Sequence, residues 1–329
     1  MTLKLESPRY GETDFGPIFN APWVRGFFGS MHWPLYGLYP FGLTWKNTGF
    51  AAKTVTLNPH EGNVRIDRNG TVWQPLTKAI YFSFRKNCFV NAVGLSNPGL
   101  LRCLTMSHWR KMRRPFILSF TSIAHEQESR LMEARKITNM LLDEIDDFQA
   151  PIAIQWDAGC PNDDIYKDMT ADELIEELLL IFSILRRLEV PLILNCNALM
   201  PLSVIRALHE HVDAFWIGNT VPVKESSPID WEKIFKDGIS PLTRRSMKLS
   251  GGYSGPEALP LTIRKVQEIR RDGIKTPIVA GNGIREPWDV QRLREAGANA
   301  VFIGSIILRP RKMKGVIDTA HGPLSDTIV

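Results

Sequence analysis

The chain has 329 residues, of which 44% are hydrophobic, and carries a formal net charge of +5. No apolar run approaches the roughly 20 residues needed to cross a bilayer, and residues 1–15 mix acids and bases without the apolar core of a signal peptide, so a cytoplasmic protein with no membrane partner is expected. Four cysteines, Cys88, Cys103, Cys160 and Cys196, form no C-x-x-C pair, which argues against structural zinc and against an iron–sulfur ligand run, and no metal is expected. Lysine and arginine cluster only within residues 102–114 and 309–314, read as solvated faces, so no nucleic acid is expected to bind.

The first fifty residues, rich in proline, glycine and aromatics, form an irregular segment within which a first strand is expected at residues 17–21 or 26–31. Further strands are expected at residues 50–57, 115–120, 151–156, 191–196, 214–219, 247–251, 277–280 and 300–304, short apolar runs each followed by turn residues. Helical periods separate several of them. Residues 171–188 are the clearest, with Thr170 and Glu173 as a T-x-x-E capping box before the stripe Leu174, Leu178, Ile181 and Leu185. Residues 261–271 and 287–296 are two more. Residues 72–76 and 81–84 break the alternation and are expected to pair as a small antiparallel ribbon. Repeated βα units imply α/β architecture with a parallel sheet, and their number favours a closed (β/α)8 TIM barrel over residues 1–329 as one domain.

Active sites of such barrels lie at the carboxyl ends of the strands, so polar residues there are candidates for chemistry. The last two runs end in Gly281-Asn282-Gly283 and Gly304-Ser305, small residues that leave backbone N–H groups bare, as a phosphate site after strands 7 and 8 requires. Lys53 interrupts an apolar run and must face something negative or electron-rich, because an unpartnered buried ammonium is costly. Asn91, Asn162, Asn195, Asn219 and Thr220 gather at strand ends, and asparagine offers both a donor and an acceptor to a ring amide. Asp157 and Cys160 follow the run at 151–156, and Gly251-Gly252-Tyr253-Ser254-Gly255 makes a further glycine turn.

Taken in order from about residue 50 to 308, the Lys53 run with Glu61-Gly62-Asn63, the segment Asn91-Ala92-Val93-Gly94-Leu95-Ser96-Asn97-Pro98-Gly99, Cys160-Pro161-Asn162, Asn219-Thr220, the Gly251–Gly255 turn and the two terminal turns resemble the dihydroorotate dehydrogenase family, in its soluble cysteine-type branch. The resemblance implies FMN, with its phosphate at Gly251, Gly252, Gly281, Asn282, Gly283, Gly304 and Ser305 and its ring beside Lys53, Thr54 and Asn195. It also implies an oxidoreductase that moves hydride between flavin N5 and a ring C–C bond next to a carbonyl. Cys160 would then be the general base or acid, Lys53 would be catalytic, and Asn91, Asp157, Asn162, Asn219 and Thr220 would hold a small cyclic amide, dihydroorotate being the leading candidate. A role in pyrimidine biosynthesis follows from that substrate, and the family leaves room for a homodimer.

Two departures stand out. The family usually has asparagine where this chain has Asp157 and lysine where it has Asn195, which points to a divergent member acting on a non-orotate cyclic amide or running as a reductase. A non-catalytic flavin-binding barrel and an RNA-modifying flavoenzyme are the competing functions.

Overall fold

The computed structural model describes residues 1–30, 33–67, 70, 77–159, 166, 169–224 and 226–323. Its central element is an eight-stranded parallel sheet: β1 (Ile18–Asn20), β2 (Phe50–Ala51), β3 (Phe116–Phe120), β4 (Ile152–Asp157), β5 (Leu192–Asn197), β6 (Ala214–Asn219), β7 (Ile278–Gly281) and β8 (Ala300–Ile303). The hydrogen-bonded order is β1-β8-β7-β6-β5-β4-β3-β2, one strand after another around a barrel. The longer strands are buried on both faces, which is why they read in sequence as unbroken apolar runs.

Closure falls to the two shortest strands. Gly49 N donates to Ile18 O at 2.8 Å, and the Asn20 side chain completes the ladder, its Nδ2 donating to Ala51 O at 2.7 Å and its Oδ1 accepting from Ala51 N at 3.2 Å. A side-chain amide thus stands in for missing strand backbone. Inside the barrel Trp216 stacks on Phe302 at 4.8 Å and lies 5.6 Å from Phe19, so three aromatic rings from β6, β8 and β1 fill one end of the interior.

Helices cover the outside. The capping box forms as expected, with Glu173 N donating to Thr170 Oγ1 at 3.3 Å and Thr170 N to Glu173 Oε2 at 2.8 Å. The helix it starts runs Ala171–Leu185, and a 3-10 turn, Arg186–Leu188, finishes the expected span. Leu259–Arg271 and Pro287–Ala296 are the other two expected helices.

Three expectations change. The run at 50–57 is a strand only at Phe50–Ala51: Lys53 N turns away to donate to Gly26 O, so the lysine stands just past the strand and not inside it. Residues 247–251 are not a barrel strand. The strand begins one residue later, at Gly252–Ser254, and belongs to a separate four-stranded antiparallel sheet with Val221–Pro222, Cys88–Asn91 and Ile80–Ser83. The small ribbon is therefore Ile80–Ser83 with Cys88–Asn91, while residues 72–76, its expected second strand, lie outside the described residues. A second hydrophobic cluster, including Val90, Trp231, Leu242 and Tyr253, packs with this sheet. An N-terminal hairpin, Leu3–Ser7 with Gly11–Gly16, completes the strands among the described residues. No helix there is long and apolar enough to cross a membrane.

The thiols of Cys88, Cys103 and Cys196 are fully buried, and burial pushes each up to about 12. An unfolded thiol ionises near 8.5, roughly. Below that pH both states are protonated and stability is unaffected. Between about 8.5 and 12 only the unfolded chain ionises, so each thiol should withdraw stability by ~1 kcal/mol per pH unit. Urea midpoints should fall steeply between pH 8 and 10.5, and Cys196→Val should flatten that fall by about a third; an unchanged slope would show that other groups control alkaline unfolding.

Candidate active site

The carboxyl ends of the barrel strands and the antiparallel sheet together enclose a cavity of about 1020 Å³, its open mouth included. Its walls take Lys53 and Thr54 from beyond β2, Asp157 from β4, Asn195 from β5, Asn219 from β6 and Thr220 just past it, Asn282 from beyond β7, Gly304 and Ser305 from beyond β8, and Asn91 from the covering sheet. Ten of the residues singled out in the sequence, scattered from position 53 to 305, thus face one space.

Their hydrogen bonds show what each can still do. The Lys53 ammonium donates to Ser96 O at 2.6 Å and sits 4.9 Å from the centre of the Phe27 ring, an electron-rich seat that keeps a buried cation tolerable. That carbonyl is aimed by its loop. Leu95 adopts a left-handed backbone (φ 55), and the Asn97 side chain clamps the turn, its Oδ1 accepting from Thr56 N at 3.2 Å and Gly99 N at 2.9 Å and its Nδ2 donating to Leu95 O at 2.7 Å. Gly62 fits against this loop because any side chain would meet Gly94 O at 2.4 Å. The segments Glu61-Gly62-Asn63 and Ser96-Asn97 are therefore scaffold for Lys53.

Asp157 is a hub. Its Oδ1 accepts from Asn219 Nδ2 at 3.0 Å and Gly159 N at 3.2 Å, its Oδ2 from Thr54 Oγ1 at 3.2 Å, and its backbone carbonyl from Thr121 Oγ1 at 2.8 Å. Thr54 Oγ1 also lies 3.0 Å from Ser119 Oγ. The other end of Asn219 is spent on its neighbour, Oδ1 accepting from Thr220 N at 2.7 Å. Asn282, itself left-handed (φ 71), pins β7 to the covering sheet: its Oδ1 accepts from Gly255 N at 3.1 Å and its Nδ2 donates to Asn219 O at 3.2 Å.

The glycines divide in two. Gly304 faces the cavity, where a Cβ would touch Ala21 at 3.1 Å. Gly281, Gly283 and Gly251 are set back, and their missing side chains are demanded by neighbours: Phe302 O at 2.5 Å, Gly255 O at 2.3 Å and Asn91 O at 2.8 Å respectively. Gly252 pairs with Asn91 in the covering sheet. Cys160 and Asn162 lie outside the described residues.

Trp23, Trp216 and Phe302 line the cavity and were not singled out beforehand. Trp216 and Phe302 read as core positions of apolar strands, and only barrel closure reveals that they face a ligand space. Two buried polar groups on the wall have no partner: Asn195 Oδ1, with the residue 3% exposed, and Ser305 Oγ, likewise 3%. Deeper on β4, both polar atoms of the fully buried Gln155 are also unpartnered. Orphaned groups of this kind cost roughly 1–3 kcal/mol each, which a ligand that bonds them would offset. Among the described residues no cluster of three His, Cys, Asp or Glu could hold a metal.

No family model matches the chain. The catalytic subunit of dihydroorotate dehydrogenase B (NAD+) from Staphylococcus carnosus is 39% identical over 69 residues, 21% of this chain and 22% of that protein. Dihydroorotate dehydrogenase A (fumarate) from Limosilactobacillus reuteri is 40% identical over 57 residues, 17% and 18% of the two chains. The match therefore spans about a fifth of the length of these curated relatives. Among solved structures, the dihydroorotate dehydrogenase of Eimeria tenella in complex with ferulenol superposes with a TM-score of 0.65 at 16% identity, covering 97% of this chain and 83% of that one. The ligand-free form gives 0.64 at 15%, covering 93% and 84%. The chain therefore shares the barrel fold of these dehydrogenase structures across nearly its whole length, while its sequence likeness to dihydroorotate dehydrogenases is confined to a short stretch.

Proposed function

We propose that the chain is an FMN-dependent oxidoreductase that removes or adds hydrogen across a ring C–C bond next to a carbonyl, with Cys160 as the group that takes or returns the proton. The observation that carries this reading is that Lys53, at one end of the chain, and Gly304-Ser305, at the other, line a single cavity with an aromatic wall. The buried, unpartnered Ser305 hydroxyl beside the bare Gly304 backbone fits a phosphate, and Lys53 and Thr54 fit the polar edge of a flat heterocycle.

FMN bound there would supply the two-electron chemistry. The rest falls to the chain. Trp23, Trp216 and Phe302 exclude water from the reacting bond. Lys53, held by Ser96 and Phe27, fixes a positive charge at the wall. Asp157, Asn219 and Thr220 form one bonded unit that orients a ring amide. Cys160, a few residues past Asp157, exchanges the proton of the substrate carbon. The protein would act on a small molecule and not on nucleic acid.

The protein should purify yellow with one FMN per subunit, measured by absorbance after denaturation. Gly304→Val should abolish the colour, because branched carbons added beside Ala21, Trp23 and Val24 would occupy the phosphate wall. A colourless wild type that takes up no added FMN would overturn the assignment.

A further inference from the structure

The balance of donors and acceptors in the cavity goes further than the flavin assignment and, resting on it, narrows the substrate. Three of the side-chain donors are committed. Lys53 is turned to Ser96 O, Asn219 Nδ2 to Asp157, and Asn282 Nδ2 to the backbone of Asn219. Among the described wall residues the only charged side chains are Lys53 and Asp157, with no arginine fork of the kind that grips a carboxylate.

The acceptors face the space. Asp157 and Asn195 are paired in register on the neighbouring strands β4 and β5, about 4.8 Å apart by strand spacing. Both side chains line the cavity, and Asn195 Oδ1 is buried without a partner. A ligand edge placed against them satisfies Asn195 Oδ1 by offering a hydrogen. A carboxylate placed there would meet the Asp157 carboxylate and the Asn195 amide oxygen, and the like charges would repel.

We infer that Asp157 and Asn195 are specificity-determining residues that select a ring presenting N–H donors at this edge, neutral or cationic and without a carboxylate. Asp157 does so by its charge as well as its bonding, because three neighbouring donors hold it rigidly in place.

The test is a calorimetric titration of the FMN-supplied protein with 5,6-dihydrouracil and L-dihydroorotate, which differ only by the carboxylate. Wild type should bind dihydrouracil at least ~10-fold more tightly, and Asp157→Asn, of nearly the same shape, should shrink that ratio at least ~10-fold by removing the like charge. Dihydroorotate binding as tightly as dihydrouracil, or neither ring binding wild type, would overturn the inference, as would a ratio unmoved by the substitution. The wild-type comparison stands even if the variant fails to fold. Visible absorbance of the same samples reports flavin content separately, so loss of the flavin reading and loss of the specificity reading are distinguishable.

Discussion

Cys160→Ala is expected to leave FMN bound while slowing flavin reduction by a bound ring substrate at least ~10²-fold, the usual cost of losing a general base. No other thiol can take over. Cys88, Cys103 and Cys196 are fully buried and pushed up to about 12, so they stay protonated and out of reach between pH 6 and 9. A free thiol ionises near pH 8.5, roughly, and wild-type reduction should therefore accelerate as pH rises toward that value, with the alanine variant losing the acceleration along with the rate. Cys160→Ser, which restores a proton-carrying group with a higher pKa, should recover part of the rate and move the rise to higher pH. Stopped-flow reduction under anaerobic conditions between pH 6 and 9 measures all three. An alanine variant as fast as wild type would transfer the role to another group, and Asp157, the only acid among the described wall residues, is the first to examine.

How far the sequence could carry the fold depended on burial. Strands β3 to β8 were legible because a parallel strand covered on both faces needs apolar residues throughout, and turn residues bounded them closely. β1 was located only to within two short candidates, because three residues carry no period and Asn20, whose amide closes the barrel, reads in isolation as a turn residue. The run at 247–251 was placed in the barrel because apolar content marks a strand without saying which sheet it joins. The true pairing of Gly252–Ser254 is antiparallel, to Cys88–Asn91. In the site the chemistry-bearing residues could be named, but their partners could not. Asn219 and Asn282 were read as facing a ligand, yet both amides are tied to the protein itself. Gly281 and Gly283 looked like bare phosphate turns, and the structure adds a packing reason, since Phe302 and Gly255 occupy the space a side chain would need. Contacts between residues mostly tens of positions apart decide such matters, and single-sequence patterns do not contain them.

Glu177→Ala should be among the most destabilising single changes in the molecule, by about 3–5 kcal/mol, because it takes the doubly bonded carboxylate away from a buried guanidinium. Arg130 and Glu177 form a two-bonded pair, Nε to Oε1 at 2.6 Å and Nη2 to Oε2 at 2.5 Å, with side chains only 5% and 0% exposed. The same guanidinium donates to Ala124 O at 3.0 Å and to His125 O at 2.5 Å, and it lies 5.9 Å from the Tyr166 ring. One ion pair therefore joins the loop after β3, the first helix after β4 and Tyr166 of the segment that follows Asp157. The loop after β3 also reaches the site, through Thr121 Oγ1 on the Asp157 carbonyl. Replacing both partners, Arg130→Met with Glu177→Leu, removes the uncompensated charge and should recover most of the lost stability, since buried ion pairs and well-packed apolar pairs of similar volume are close in free energy. Urea denaturation of the two single variants and the double variant gives the coupling directly. If Glu177→Ala costs less than about 1 kcal/mol, the pair is hydrated in solution and is not the anchor of this side of the site.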